Sequence, residues 1–274
     1  MKNVNFLNAS LGDRYEAFSL IHTFSSLYHN ENCSAEIIVT DKKQYVGKYK
    51  NSLELCKKLG DVYVREPTYS VKNKDWQYHS VRYLTLPKLD SIITFISDID
   101  ILILDRDIFE KRMKHIKTLK KPYSATIRYG PDRPDWHPIH KNGYFRGWGA
   151  VLTDKWYTDD MKSLIKYYID ENPIPKVWHW DEHIWYTLAE KIHGLPNRHE
   201  NVQDENAEKE NYHSAHGIHL SPGLVKYGSD KLRKYVKPYS IKFQNMINSK
   251  EWIEYEKTLP ETCKAEINRV KECL

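Results

Sequence analysis

The chain has 274 residues, of which 40% are hydrophobic and 29% are charged, and 42 Lys plus Arg against 37 Asp plus Glu leave a formal net charge of +5. This length and composition are those of a globular protein with a full hydrophobic core. No apolar stretch reaches the roughly 20 residues that cross a bilayer, because Asp98 and Asp100 interrupt the longest one. The charge excess is too small to indicate nucleic-acid binding by itself.

Four irregularly spaced cysteines predict reduced thiols rather than a disulfide framework, and no C-x-x-C pair is present to bind zinc. Residues 1–8 lack the apolar segment of a signal peptide, so we expect a cytoplasmic protein. We also expect one domain over residues 1–225, with residues 226–274 as a helical C-terminal extension packed on it.

In the first half of the chain, short apolar runs alternate with segments of helical spacing. Strands are predicted at Val4–Leu7, Ala35–Thr40, Asp61–Val64 and Ile92–Ile96, and helices at Tyr15–His29, Ser52–Leu59 and Trp76–Leu86. This alternation predicts a mostly parallel sheet covered by helices on both faces. In such sheets ligands bind at the carboxyl ends of the strands.

The second half continues the pattern around one long loop. Strands are predicted at Ile101–Leu104, Tyr123–Arg128 and Gly149–Thr153, and helices at Asp107–Leu119, Thr158–Glu171, Asp181–Ile192 and in the tail from Asn248 onward. The loop between residues 129 and 144 is long enough to predict a functional segment. The predicted fold class is therefore α/β, with a mostly parallel sheet flanked by helices.

Two aspartates, Asp98 and Asp100, directly follow the central predicted strand. Residues i and i+2 of an extended segment project to the same side, so we expect the two carboxylates to meet at one point. Charges at the end of an apolar strand are costly unless they are solvated, paired or bound to a metal. Hard ions such as Mg²⁺ and Mn²⁺ prefer such oxygens. A strand-end turn with two solvated acids is the alternative.

The order of elements and several motifs resemble the metal-dependent nucleotide-sugar glycosyltransferases of the GT-A fold, in particular the glycogenin and galactosyltransferase-like family eight. The resemblance covers roughly Val4 to Pro222 and includes an arginine ahead of Leu86-Pro87. It implies a GT-A fold and a nucleoside diphosphate donor. The donor-binding residues that it implies in the first half of the chain are Asn8, Ala9, Ser10, Tyr15, Arg82, Asp98, Ile99 and Asp100.

Downstream, the Asn-x-Gly strand of that family is similar to Gly147-Trp148-Gly149, without the asparagine, which implies a donor contact at Gly149. The Asp-Gln pair of the family resembles Asp181-Glu182, which are the implied catalytic residues. First-turn acids favoured by the helix dipole are the alternative for this pair. Lys226 is the substitute for the lysine of the Lys-Pro-Trp motif, which this chain lacks.

The third metal ligand of the family is a histidine, and His213, His216 and His219 recur at three-residue intervals. The resemblance implies that Asp98 and Asp100 hold Mn²⁺ or Mg²⁺ with a histidine of this cluster, His213 and His216 being the assigned candidates. An ordinary surface turn is the alternative explanation for the histidines.

The implied reaction is transfer of a sugar from a nucleoside diphosphate donor, expected to be a UDP-sugar, to an acceptor hydroxyl. The family implies retention of the anomeric configuration, whereas the acidic Glu182 leaves inversion open. The acceptor is left open among a glycan, a lipid-linked sugar, a protein and a modified base in DNA, as with some phage sugar transferases. The alternatives are a nucleotidyltransferase and a non-catalytic sugar-binding module.

Overall fold

The structure is a computed structural model that describes residues 1–12, 15–71, 80–128, 144–171, 180–196, 216–220, 233–234 and 236–274. Its strands are β1 (Lys2–Ser10), β2 (Cys33–Val39), β3 (Asp61–Arg65), β4 (Ser91–Ile96), β5 (Ile101–Ile103), β6 (Tyr123–Arg128), β7 (Tyr144–Leu152) and β8 (Gly217–His219). Six of these strands form one sheet in the order β3-β2-β1-β4-β7-β6, and β5 pairs with β8 in a second sheet.

The six-stranded sheet is mostly parallel. β1 runs parallel to both β2 and β4, and β2 runs parallel to β3. Only β7 runs in the opposite direction, between β4 and β6. The predicted α/β fold with a mostly parallel sheet is thus confirmed, and the antiparallel strand is a feature that the apolar run at Gly149–Thr153 did not indicate.

The helices follow the predicted order closely. They are α1 (Phe18–His29), α2 (Lys42–Lys48), α3 (Lys50–Lys57), α4 (Ile108–Leu119), α5 (Thr153–Trp156), α6 (Asp159–Glu171), α7 (Trp180–His193), α8 (Ser240–Ile247), α9 (Lys250–Glu256) and α10 (Glu261–Lys271). Among these described helices, none has both the length and the apolar character of a membrane span.

Helices cover both faces of the sheet because successive residues of a strand point to opposite sides. On β1, Phe6 belongs to the core beneath α1, whereas Leu7 belongs to a second core under α6 and α7. The last three helices pack on the α1 side, where Phe24 stacks on Tyr255 with ring centroids 4.1 Å apart. The helical C-terminal segment therefore shares its core with α1 and α3.

Several local features differ from the sequence predictions. α2, α5 and β8 were not predicted, and in the predicted helix Trp76–Leu86 only Ser80 of the described residues is helical, while residues 81–85 form turns and bends. Ile99 and Asp100 form a turn rather than an extended segment. The two aspartates therefore do not follow the simple i and i+2 geometry of a strand.

Candidate active site

The acidic pair lies where β4 ends, at the carboxyl edge of the parallel strands. β1 ends at the same edge, because Leu7 is in register with Ile96, the last residue of β4. The Asp98 side chain is 34% exposed, whereas that of Asp100 is 12% exposed. The pair thus combines one carboxylate that solvent reaches with one that is largely buried, at the edge where ligands bind in this class of sheet.

A buried arginine, Arg82, connects the acidic pair to the second acidic motif. Its Nη2 atom lies 2.8 Å from Asp98 Oδ1 and 2.8 Å from Asp181 Oδ2. Burial disfavours the charge on Arg82, but Tyr83 and the two carboxylates outweigh burial and raise its pKa above the ordinary value. The site therefore holds a permanent positive charge between carboxylates from two distant segments of the chain.

Glu182 faces the same point from the start of α7. A methyl group on the Cα of Gly147 would lie 3.2 Å from Asp98 Oδ2, 3.4 Å from Arg82 Nη2 and 3.4 Å from Glu182 Oε1. All three charged groups thus surround Gly147, which lies on β7 two residues before Gly149, where the pairing with β4 ends. Glycine leaves them the room that a side chain would occupy.

Aromatic side chains pack against this cluster of charged groups. The Arg82 guanidinium lies 4.8 Å from the centroid of the Tyr83 ring, and that ring stacks on Trp185 of α7 at 5.1 Å. The Tyr83 hydroxyl donates a hydrogen bond to the Gly147 carbonyl at 2.7 Å. These contacts therefore fix three segments relative to one another: β7 with Gly147, the turn with Arg82, and the first turn of α7 with Asp181 and Glu182.

Gly149, the glycine assigned to the donor, has a packing role in the structure. A methyl group on its Cα would overlap the Ser124 carbonyl oxygen and the Trp185 ring. Gly149 therefore lies against the core, while Gly147 is the glycine surrounded by the charged groups. Strand parity cannot distinguish the two glycines, since residues 147 and 149 share one face.

Of the two histidines of this cluster that the structure describes, His219 is the one next to the acidic pair. Its Nε2 atom lies 3.4 Å from Asp100 Oδ1. Burial, and after it the charge of Asp98, raise the pKa of Asp100, although His219 opposes the shift. Asp100 is therefore a buried carboxylate beside a second negative charge, an arrangement that a bound cation would stabilise.

The structure places His216 elsewhere, so its assignment as a metal ligand requires correction. His216 Nδ1 lies 2.9 Å from Asp105 Oδ2, and its Nε2 accepts a hydrogen bond from Arg112 Nε at 2.9 Å. Because arginine only donates, both ring nitrogens are engaged within the protein. His216 has no lone pair left for a metal ion in this arrangement. His213 lies outside the described residues.

The residues of the first strand lie at the expected edge. Asn8 and Ser10 are buried near the carboxyl end of β1, with Ala9 between them. Both polar atoms of the Asn8 amide and the Ser10 hydroxyl lack a hydrogen-bond partner within the described part of the chain. Tyr15 packs near Phe18 at the start of α1, with ring centroids 5.9 Å apart. Lys226 falls outside the described residues.

A divalent cation fits the chemistry of Asp98, Asp100 and His219, because carboxylates and imidazole suit Mn²⁺ and carboxylates suit Mg²⁺. In the structure, however, Asp98 turns toward Arg82 while Asp100 turns toward His219. Across the described ranges, no three His, Cys, Asp or Glu side chains are already grouped to hold a metal ion. The donor chemistry fits a cation, whereas a preformed cage is not present in this part of the chain.

No family model matches the sequence, and no curated protein sequence matches it. Among solved structures, the chain is similar to the apo form of the glycosyltransferase GlyE in Streptococcus pneumoniae TIGR4, at 12% identity and a TM-score of 0.48, over 99% of this chain and 63% of that one. A second GlyE structure matches at 14% identity and a TM-score of 0.39, over 69% and 43% of the two chains.

A third similar structure is 4-diphosphocytidyl-2C-methyl-D-erythritol synthase from Anaerococcus prevotii DSM 20548. It matches at 12% identity and a TM-score of 0.42, over 74% of this chain and 96% of that one. The chain thus spans less than two thirds of the length of the GlyE structures.

Proposed function

We propose that this chain is a glycosyltransferase that takes its sugar from a nucleoside diphosphate donor, with a UDP-sugar as the expected donor. The observation that carries the proposal is the Arg82 guanidinium held between Asp98 and Asp181 at the carboxyl edge of the sheet. Glu182 faces the same point across Gly147. A fixed cation beside carboxylates suits a reaction in which an anionic diphosphate departs from a sugar.

Arg82 is the chain's own group for the leaving diphosphate in this proposal. Negative charge grows on the diphosphate as the glycosidic bond breaks, so a fixed cation stabilises the transition state more than the bound donor. The raised pKa of Arg82 keeps the guanidinium charged throughout. Mn²⁺ or Mg²⁺ bound by Asp98, Asp100 and His219 would supply further neutralisation of the same group.

The two acids at the start of α7 take different roles. Asp181 is ion-paired with Arg82, and its role is to orient that guanidinium. Glu182 is buried, and its Oε1 atom lies beside Gly147, so in this proposal it is the acid that faces the sugar. Glu182 either accepts the proton of the acceptor hydroxyl, which gives inversion, or lies beneath the sugar and stabilises positive charge there, which gives retention.

The nucleoside side of the donor is assigned to the end of β1. Buried amides and hydroxyls without partners cost free energy, and a ligand that bonds to them recovers that cost. Asn8 and Ser10 are such groups within the described residues. The Asn8 amide, with one donor and one acceptor end, suits the paired donor and acceptor edge of a base such as uracil.

The proposal is tested by incubating the full chain with a panel of UDP-sugars in Mn²⁺ and in EDTA. Release of UDP that requires the metal supports the glycosyltransferase, and release of pyrophosphate from a nucleoside triphosphate supports a nucleotidyltransferase instead. Binding of sugars without any turnover, together with no thermal stabilisation by UDP, would refute the proposal. Thermal stabilisation is a suitable second readout because a ligand of the native state alone raises stability.

Variants connect that activity to the site. We expect Glu182→Gln to lower UDP-sugar turnover by at least about 100-fold, because a general base or charge stabiliser contributes on that scale. Glu190→Gln is the matched control, since Glu190 lies on the same helix and is exposed. Equal activity of the two variants would remove Glu182 from the mechanism.

The acceptor class stays open among a glycan, a lipid-linked sugar, a protein and a modified DNA base. The salt dependence of binding distinguishes a DNA acceptor from the others. Phosphate contacts release counterions, so DNA binding weakens steeply as the salt concentration rises. DNA binding that does not change between low and high salt would exclude a DNA acceptor. Mass analysis of each candidate acceptor after incubation with the donor identifies the one that gains a sugar.

A further inference from the structure

Helix α1 is unusual in being buried on all sides while carrying many polar side chains. Every residue of α1 except Tyr28 is buried. Beside this helix runs β5, which among the described residues pairs only with β8. On the β8 side, the Asp100 carbonyl accepts from Leu220 N at 2.6 Å, and Leu104 N donates to the His216 carbonyl at 2.8 Å. The other edge of β5 therefore needs partners that are not a strand.

Polar side chains from α1 and its C-cap supply those partners at every second residue. His22 Nδ1 lies 2.9 Å from the Ile101 carbonyl oxygen, and Ile103 N donates to Ser25 Oγ at 3.0 Å. Asn30 Nδ2 donates to the Asp105 carbonyl at 3.0 Å. Ile101 and Ile103 are alternate residues of β5 and direct their backbone groups to the same edge, so His22 and Ser25 take the place of a neighbouring strand, and Asn30 bonds to the chain just beyond the end of β5.

His22 makes one contact that the others do not. Its second ring nitrogen, Nε2, lies 3.1 Å from Ser97 Oγ. Ser97 and Ile101 stand immediately before and after the turn Asp98-Ile99-Asp100. One rigid ring therefore connects the two ends of the acidic turn and limits how far they move apart.

The hydrogen-bond roles of the ring follow from its partners. A carbonyl oxygen only accepts, so Nδ1 carries the proton and donates to Ile101, and in the neutral ring Nε2 accepts from the Ser97 hydroxyl. Burial is the main cause that lowers the pKa of His22 to about 4, against the opposing effects of Ile101 and Asp98. The neutral ring with this single pattern of one donor and one acceptor is thus the form present near neutral pH.

We propose that His22 is a positioning residue: it restrains the turn Asp98-Ile99-Asp100 so that both carboxylates stay at the edge of the sheet where the donor and its cation would bind. The donor named here rests on the proposed function, whereas the restraint on the turn rests on the hydrogen bonds of His22. A turn without strand pairing has conformational freedom to lose, and prior restraint lowers the cost of binding. A carboxylate displaced by about 1 Å weakens a reaction of this kind by about 100-fold.

Three variants distinguish the two hydrogen bonds of the His22 ring. His22→Phe keeps an aromatic ring and removes both hydrogen bonds. His22→Asn keeps a donor near the position of Nδ1, and His22→Gln places an amide near the position of Nε2. The matched control is Thr23→Val, because Thr23 is buried on the same helix and its hydroxyl has no partner among the described residues.

The first readout is hydrogen exchange of the amides of residues 98–101 in the free protein, which requires no ligand. We expect exchange to accelerate at least 10-fold in His22→Phe, less in His22→Asn and His22→Gln, and not in Thr23→Val, while β1 and β2 keep their protection. The second readout is the affinity for UDP in the presence of Mn²⁺, which we expect to fall about 10-fold in His22→Phe, the scale of orienting groups around metal ligands.

The outcomes are distinct. Unchanged exchange of residues 98–101 in a folded His22→Phe overturns the proposal, as does faster exchange with unchanged UDP affinity. Faster exchange in a protein whose wild type binds no nucleotide supports the restraint and refutes the proposed function instead. If His22→Phe does not fold, the Asn and Gln variants decide, because a purely structural role would destabilise all strands equally instead of releasing the turn first.

Discussion

The two ends of β5 carry the same pair of residue types in opposite electrostatic states. At one end Asp100 lies next to His219, with 3.4 Å between Oδ1 and Nε2. At the other end Asp105 lies 2.9 Å from His216 Nδ1. Both histidines belong to the same short segment around β8, so neither the sequence nor the strand pairing distinguishes one Asp–His pair from the other. Their surroundings make them different.

Asp105 is fully compensated. Burial would raise its pKa, but His216, Lys242 and Lys111 outweigh burial and hold the pKa of Asp105 far below its ordinary value. Lys242 Nζ lies 2.6 Å from its Oδ1 atom and Lys111 Nζ 3.0 Å from its Oδ2 atom. A buried carboxylate with three such donors is neutralised within the fold and contributes to its stability.

Asp100 is the opposite case. Burial is the largest cause that raises its pKa, and Asp98 adds to the shift. A buried carboxylate whose pKa is raised by its surroundings is typical of binding and catalytic sites. The contrast identifies the Asp105 end of β5 as compensated within the fold, and it supports the proposal that the Asp100 end binds a ligand.

The largest expected effect is at Asp100. Under the proposed function, we expect Asp100→Asn to lower metal-dependent UDP-sugar turnover by about 1000-fold, because Asp100 would hold the cation that neutralises the departing diphosphate. Turnover is measured as UDP release with saturating Mn²⁺, and the control is Asp61→Asn, whose side chain is 67% exposed. Near-normal turnover in Asp100→Asn would remove the metal assignment.

The second effect concerns stability and separates the two aspartates most directly. We expect Asp105→Asn to lower the free energy of unfolding by about 3 kcal/mol, because removing one partner of a buried charge pair leaves the other charges uncompensated. Asp100→Asn should leave stability unchanged or raise it, since it removes a charge that burial disfavours. Urea unfolding of the three proteins measures both changes, and a similar loss in both variants would contradict the contrast.

A third experiment perturbs the charged cluster without removing any charge. A methyl group at Gly147 would lie 3.2 to 3.4 Å from Asp98, Arg82 and Glu182, so Gly147→Ala must shift those side chains by a few tenths of an ångström. We expect turnover to fall about 10-fold, in line with the effect of displaced supporting groups. Circular dichroism should show an unchanged fold, whereas Gly149→Ala should unfold the protein because its methyl group overlaps backbone.

The smallest expected effect is in the acid pH dependence. The pKa of Asp105 is lower in the folded state than its ordinary value of 3.8. Its stabilisation is therefore complete above the unfolded pKa and is lost as the pH falls through the folded value. We expect the difference in unfolding free energy between wild type and Asp105→Asn to shrink as the pH falls below about 4. A constant difference down to the acid limit would show that Asp105 is not the titrating group.

Much of the site was predictable because it consists of residues next to strand and helix ends. Asp98, Arg82 and Glu182 were all candidates from the sequence, and the structure brings them together around Gly147. The choice between His216 and His219 was not predictable. His216 lies in a turn with a positive φ of 62° and His219 is the last residue of β8, so the three-residue repeat of the histidines could not assign a common partner.

The restraint of the acidic turn by His22 was also not predictable from the sequence. A histidine within an apolar helix pattern is most simply a core residue, and His22 is indeed fully buried. Its contacts with Ser97 and Ile101 join segments about 75 to 79 residues apart along the chain. The local spacing of residue types carries no information about hydrogen bonds between segments so far apart in the sequence.

The sequence by itself determined the α/β class, since alternating apolar runs and helical spacings are local and set by backbone periodicity. It also determined that carboxylates follow the central strand. Only the tertiary structure decided that β7 runs antiparallel, that Gly147 rather than Gly149 is enclosed by the charges, and that Asp100 and Asp105 differ. Those properties depend on which distant charges and hydrogen-bond donors surround a group after folding, and the environment of a charge is a property of packing in three dimensions.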